Sequence, residues 1–335
     1  MAPVGRLQPS VMDRRQLLRR CGCAALAGWG AAWARDAEGA GDPAEAPPMV
    51  PREVAPGCWV VEGLSAMGSP ANRNFISNAG FVVTPAGVVV IDALGSPALA
   101  ERLLAEIGKI TSRKVTHVVL THYHADHVYG LQVFEQAGAR IIAHQAGREY
   151  LHADTARLRL QASRVELAPW IDARTRLVPA TDWVGGAREL EVGGERLVLQ
   201  PVGPAHTPED LALFVPRARV LYTGDLVFRG RIPFVGQADS RHWIAALDRL
   251  LAFDAKVIVP GHGPASTEAR QDIQLTRDYL AYLRQAMGAA ARDMTPFDEA
   301  YQATDWSAFA HLPLFGAANR MNAYNTYLLM EHAGP

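Results

Sequence analysis

The chain has 335 residues, of which 49% are hydrophobic and 20% charged, and its formal net charge is −1. That length and balance can bury a large core and suit one big domain with additions. They carry neither the basic excess that nucleic acid demands nor a long acidic or basic tail.

The first segment has the chemistry of a targeting signal. Arg14-Arg15 leads into a small, apolar run from Cys21 to Ala34, too short for a membrane span, and Ala32-Trp33-Ala34 has the form of a cleavage site. The arginine pair fits the twin-arginine type of export signal, but no Ser or Thr precedes it and no Phe follows, so an ordinary secretory route stays open. The expectation is an exported, periplasmic protein lacking residues 1–34, with no stable membrane insertion after cleavage. Five arginines and one aspartate go with that segment, which takes the formal charge to −5. Cys21 and Cys23 go too, leaving Cys58 without an internal disulfide partner and expected as a small buried residue. Residues 35–51, rich in Ala, Pro, Gly and acids, read as a disordered linker.

From about residue 52 short β-rich runs begin: "CWVVEG", "GFVVT" and "GVVVIDA", the last two joined by a Pro/Gly turn at residues 84–87. "SPALAERLLAEIGKI" predicts a helix with Ser96 as N-cap and Pro97 at its first position. "KVTHVVLTH" predicts a strand, "ADHVYGLQVFEQAG" one helix and "ARIIAHQ" another strand. A long stretch follows between residues 145 and 185. Beyond it come a hairpin around Gly193-Gly194, strands at "LALFVP" and "RVLYTGD", a helix capped by Asp239 or Ser240, and the strand "AKVIVPGHG". Residues 266–335 read as an added helical extension packed on a core of residues 52–265.

Residues 121–130, "THYHADHVYG", place three histidines and an aspartate within six positions. If His122 and His124 lie in a strand they point the same way, while Asp126 and His127 sit where the chain turns into the next helix and aim elsewhere. One short segment can thus feed two adjacent metal sites. His206, Asp225 and His262 each follow a strand, where a rigid scaffold delivers a side chain into a loop. His117, His144, His152, His242, His311 and His332 are expected to be surface or satisfied core residues.

"THYHADH", "GPAHT", "YTGD" and "PGHG", in that order, resemble the metallo-β-lactamase superfamily over roughly residues 52–265. The resemblance implies an α/β fold, an αββα sandwich with the added C-terminal helices lying outside it. It implies that His122, His124 and His206 hold one metal, that Asp126, His127 and His262 hold a second, and that Asp225 bridges them. Asp92, ending "VVVIDA", matches a family position that supports a ligand from behind. The signal, the 145–185 stretch and the C-terminal helices also resemble exported zinc metallohydrolases associated with quinoprotein dehydrogenase or thiosulfate-oxidation systems, the SoxH-like group.

Imidazole and carboxylate without thiolate suit zinc, and also iron or manganese. The expected activity is dinuclear zinc-dependent hydrolysis of an ester, thioester, lactone or amide, with a metal-bound hydroxide as attacking group beside Asp126 and Asp225. The partner is a small molecule, polar or anionic, and not a nucleic acid. Arg229 and Arg231 stand where lactamase relatives use a cation to hold a substrate carboxylate, and either serves that role or is an exposed arginine on a loop. Met67, in the flap candidate of residues 64–75, either covers an apolar part of a substrate or is an ordinary exposed methionine. Glu209 stands where relatives often carry glycine, either altering access to the metals or facing solvent. Two other classes fit the same residues: a mononuclear iron sulfur dioxygenase using His122, His206 and Asp225, and a non-catalytic accessory protein of a periplasmic oxidation system.

Overall fold

A computed structural model describes residues 48–236 and 238–333. The expected signal and nearly all of the expected linker lie outside the described residues. No described helix is long and apolar enough to cross a membrane.

The first half runs β1 (Arg52–Ala55), β2 (Cys58–Val61), β3 (Ala79–Thr84), β4 (Gly87–Ile91), α1 (Pro97–Ile110), β5 (Val115–Val119), α2 (Ala125–Val128), α3 (Leu131–Gln136), β6 (Arg140–His144), α4 (Gly147–His152), α5 (Asp154–Glu166) and β7 (Asp182–Val184). The second runs β8 (Arg188–Val192), β9 (Glu195–Pro201), β10 (Leu211–Val215), β11 (Val220–Phe228), α6 (Ser240–Leu250), β12 (Val257–His262), α7 (Ala269–Arg292), α8 (Phe297–Ala303) and α9 (Phe315–Ala333). β1 to β7 form one sheet in chain order, and β12-β11-β10-β9-β8 form the other. Pairing is antiparallel from β1 to β4 and parallel from β4 to β7; in the second sheet only β11 and β12 are parallel.

Alternation along the strands builds the layers. In β4, Val88 and Val90 face Leu99, Leu103 and Ile107 of α1, whereas Val89 and Ile91 face Leu197, Leu213 and Tyr222 of the second sheet. That sheet's other face packs Phe214 and Leu221 against Trp243 and Leu247 of α6 and against Leu280 and Leu283 of α7. The result is the αββα sandwich with added C-terminal helices. Cys58 lies in the layer between the sheets, where burial pushes its thiol up to about 12.

Several expected elements hold in detail. Ser96 caps α1, accepting from the Leu99 N–H at 3.4 Å, and Asp239 rather than Ser240 caps α6. Others differ. β5 ends at Val119, so His122 and His124 lie in a loop, not a strand. The Asp92 carboxylate takes the Thr121 N–H at 2.8 Å and so removes it from any ladder. The single helix expected from Ala125 is two, α2 and α3, broken at Gly130, where a Cβ would stand 2.0 Å from the Ala93 carbonyl oxygen. Asp225 does not end its strand. β11 continues to Phe228 through two register irregularities, with Gly224 at φ +53. The 145–185 stretch holds α4, α5 and the edge strand β7.

Candidate metal centre

All seven donors expected from the sequence meet at one end of the two sheets. The loop after β5 supplies His122 and His124, and α2 supplies Asp126 and His127. His206 stands in the turn between β9 and β10, Asp225 in the irregular part of β11, and His262 at the last position of β12. They fall into two groups, His122-His124-His206-Asp225 and Asp126-His127-His262. His206 Nε2 lies 3.0 Å from His124 Nδ1 and 3.4 Å from Asp225 Oδ2. Asp126 Oδ2 lies 3.6 Å from His127 Nε2 and 3.3 Å from His262 Nε2. Donors about 2.0–2.1 Å from a tetrahedral ion stand roughly 3.3 Å apart, so these spacings match a metal shell.

Asp225 touches both groups. Its Oδ1 is 3.1 Å from His127 Nε2, and its Oδ2 is 3.2 Å from His262 Nε2 and 3.9 Å from His122 Nε2. The turn that allows this needs a bare neighbour, because a Cβ on Gly261 would meet Asp225 Oδ1 at 2.0 Å. His122 Nε2, His127 Nε2, His206 Nδ1 and Asp225 Oδ1 are buried without a hydrogen-bond partner. Buried polar atoms are costly when unmatched, and three of these four face into the cluster, where a divalent cation fits them.

The rings are aimed from behind. His127 Nδ1 donates to Asp92 Oδ2 at 2.8 Å, and His262 Nδ1 donates to the Ile76 carbonyl at 2.7 Å. Thr121 Oγ1 donates to Asp92 at 2.7 Å and accepts from His122 Nδ1 at 3.0 Å. Each bond leaves the Nε2 lone pair pointing into the cluster. Asp92 does this from a left-handed backbone, φ +62, at the end of β4. Asp92→Asn keeps the shape but presents an amide N–H₂ to a site crowded with donors. Metal affinity is expected to fall about 10–100-fold, read by competition with a chelator; a change under about twofold rejects the supporting role.

Charge is arranged to keep donors in their binding forms. Burial, with His127 nearby, holds His122 well below the ordinary imidazole range, and burial with His124 pushes His206 down to about 3. Burial opposes the charges of Asp126 and Asp225, yet the facing histidines hold both carboxyls below the usual range. His127 goes the other way: burial disfavours its cation, but Asp225, Asp126 and Asp92 raise it well above normal. In the metal-free protein the facing carboxylates thus favour the His127 cation, and a metal ion binding at Nε2 competes with a proton there. Metal uptake at pH 7 is expected to release protons, and affinity to rise with pH until the raised imidazole is neutral. Calorimetry in buffers of different ionisation enthalpy measures this directly; uptake with no proton release would contradict the raised His127.

The remaining expected residues part company. Arg231 is buried, its guanidinium 5.7 Å from the Phe228 ring and with Nη1 3.3 Å from His262 Nδ1, at the edge of the cluster. Arg229 instead pairs with Asp272 of α7 at 3.0 Å and serves that helix contact. Met67 is 43% exposed on the 64–75 loop and is no part of the cluster. That loop is tied to the 145–185 stretch, since Trp170 Nε1 donates to the Pro70 carbonyl at 2.8 Å and Arg73 lies over the Trp170 ring. Glu209 does not face solvent: it is buried and accepts from the Tyr123 N–H at 3.3 Å, joining the His206 turn to the His122–His124 loop. None of the other histidines joins either group. His144 departs from the expectation of a satisfied residue, because its Nδ1 is buried without a partner.

Three contributors were not singled out by sequence reasoning. Trp243 of α6 packs edge-on to His206 at 5.0 Å, Phe228 stacks on His262 at 5.2 Å, and Thr121 links Asp92 to His122. The aromatic pair carried no signal beyond its place in amphipathic runs; Thr121, adjoining the first histidine, was the one within reach.

The sequence description of the metallo-beta-lactamase superfamily matches residues 72–262, more than half of the chain and all seven donors. The chain belongs to the metallo-beta-lactamase superfamily. A linear primary-alkylsulfatase of Pseudomonas sp. (strain ATCC 19151) is 25% identical over 239 residues, covering 60% of this chain and 45% of the relative. The 2,4-dinitroanisole O-demethylase subunit alpha of Nocardioides sp. (strain JS1661) is 29% identical over 178 residues, covering 52% of this chain and 49% of the relative. The chain thus spans about half the length of these two relatives. A solved metallo-beta-lactamase from Pontibacter korlensis superposes with a TM-score of 0.56 at 22% identity, covering 70% of this chain and 99% of that one, a likeness of fold.

Proposed function

We propose that this superfamily member is a dinuclear, zinc-dependent hydrolase acting on an ester, thioester, lactone or amide that carries an anionic or polar group. Asp225 is the observation that carries the reading, because its two oxygens face histidines of both donor groups. A bridging carboxylate between three imidazoles on one side and Asp126, His127 and His262 on the other suits two ions better than the single iron of a sulfur dioxygenase, which leaves the second group without a task. A pair of zinc ions bound there supplies a water acidified from 15.7 toward about 7 and polarises the substrate's electrophilic centre.

The chain's own residues do the rest. Asp126 and Asp225, both held ionised, orient the attacking water and offset the cationic charge. Asp92, Thr121 and the Ile76 carbonyl keep the rings from turning. Arg231 receives the substrate's anionic group, and the 64–75 loop with Met67 covers its apolar part. The names of the relatives widen the choice of scissile bond, since one is an alkylsulfatase, so a sulfate ester belongs among the substrates to be tried. The twin-arginine-like start supports export, and with it a place beside periplasmic oxidation systems.

The test is a hydrolysis screen of metal-quantified protein on esters, thioesters, lactones, lactams and alkyl sulfates. Two zinc ions per chain with turnover on one of these classes is the expected result. One iron per chain with oxygen uptake on a persulfide overturns the reading in favour of the dioxygenase. Inactivity of the fully loaded protein on every class favours the accessory role.

A further inference from the structure

Between β11 and α6, residues 229–236, 238 and 239 lie in no helix or strand, and this segment carries Arg231. Arg231 is 5% exposed and forms no ion pair with a carboxylate of the described residues. The Asp225 and Asp126 carboxylates offset its charge only from beyond ion-pair distance; burial of the cation is still costly, and a free loop would turn it out to water. The loop is not free. Its polar groups, which lack secondary-structure partners, are met by the C-terminal helices and the turn before α9. Ile232 N–H donates to the Pro313 carbonyl at 3.0 Å. Asn322 of α9 takes the Val235 N–H on Oδ1 at 2.9 Å and gives Nδ2 to the Pro233 carbonyl at 2.7 Å. Asn325, one turn on, donates to the Gly236 carbonyl at 2.6 Å.

Asn322 is itself fully buried and held by a relay. Its Nδ2 donates to Tyr279 Oη of α7 at 2.9 Å, and that hydroxyl donates to Asn319 Oδ1 at 2.9 Å. Every polar atom of the Asn322 amide is therefore committed, and both loop contacts require an amide with this orientation. At the loop's start, Arg229 pairs with Asp272 and the Phe228 N–H donates to Thr276 Oγ1 at 3.3 Å, both on α7. The superfamily match ends at His262, so the loop lies within the shared sequence and its helical partners lie beyond it.

We propose that the C-terminal helices are a substrate-selecting part of the site, with Asn322 the positioning residue that holds residues 232–236 so that the Arg231 guanidinium stays at the rim of the donor cluster. This rests on the reading of Arg231 as the anchor for an anionic substrate group. It explains why a long helical addition is joined to the sandwich by buried polar bonds at this loop, where apolar packing alone would suffice for stability.

The test uses the full, metal-loaded chain with Asn322→Leu, Arg231→Gln and the double variant. Two readouts are taken: amide hydrogen exchange at Ile232 and Val235, and KM and kcat for mono-4-nitrophenyl glutarate (anionic) against 4-nitrophenyl butyrate (neutral). In Asn322→Leu we expect faster exchange at Val235 and a KM for the anionic ester raised about tenfold, with kcat and the neutral ester within about twofold. The double variant is expected to be no worse than Arg231→Gln, since both act through one guanidinium. Should Asn322→Leu not fold, Asn325→Ala is the milder variant, with a KM shift of about threefold in the same direction. Equal losses on both esters, multiplied losses in the double variant, or unchanged exchange at Val235 overturn the positioning role. An unchanged anionic KM in Arg231→Gln overturns the anchor reading instead, and the selecting role with it, while the exchange data still report whether Asn322 holds the loop.

Discussion

Asp225→Ala is expected to lose one or both metals and at least about a hundredfold in activity, with the two-sheet fold retained. The size follows from position. The carboxylate lies within 3.1–3.9 Å of His122, His127, His206 and His262, so one substitution strips both donor groups of a shared anion. Were two divalent ions to occupy the site as proposed, their mutual repulsion would be offset by one fewer negative charge. The fold is expected to survive because the layer between the sheets is apolar, and its β11 members Val220 and Tyr222 remain in place. Metal content by mass spectrometry, alongside circular dichroism, checks the result. A variant retaining full metal content would show that Asp225 does not bridge.

Trp243→Ala is expected to cost about 3–5 kcal/mol of folding stability, the usual range for emptying a large aromatic site in a core. Trp243 is fully buried, and its indole N–H donates to the Leu226 carbonyl at 3.0 Å. Truncation leaves that carbonyl unsatisfied as well as leaving a void against His206 and Phe228. The same change frees the His206 ring, so weaker metal retention should accompany the lower urea midpoint. A loss below about 1 kcal/mol would mean that α6 repacks over the cavity. These two substitutions separate the site's requirements: Asp225 acts on the cations, Trp243 on the wall that carries a donor.

Much of the sandwich was legible in the chain because its signals are local. The valines of "GVVVIDA" alternate between two buried faces, and Ser96-Pro97 starts a helix wherever it lies. The site was legible for a different reason. Histidine and aspartate crowd into "THYHADH", and the distant His206, Asp225 and His262 each stand beside glycine or threonine after an apolar run. What failed locally failed through long-range contacts. No periodicity reveals that Asp92, from another strand, takes the Thr121 N–H and ends β5 before the histidines. Nor does it reveal the Ala93 carbonyl packed against Gly130, where the helix expected from Ala125 breaks in two.

The sequence by itself determined the donor types, their order and the faces of the strands, since these depend on residue chemistry and on repeats of two or 3.6 positions. Only the tertiary structure decided which of two neighbouring arginines reaches the cluster. Arg229 meets Asp272 on α7, whereas Arg231 lies buried beside His262. It also decided that Glu209 turns inward to the Tyr123 N–H and that α9 grips the loop before α6. These outcomes turn on which distant groups satisfy a buried donor, acceptor or charge, and that is settled when the sheets and helices pack.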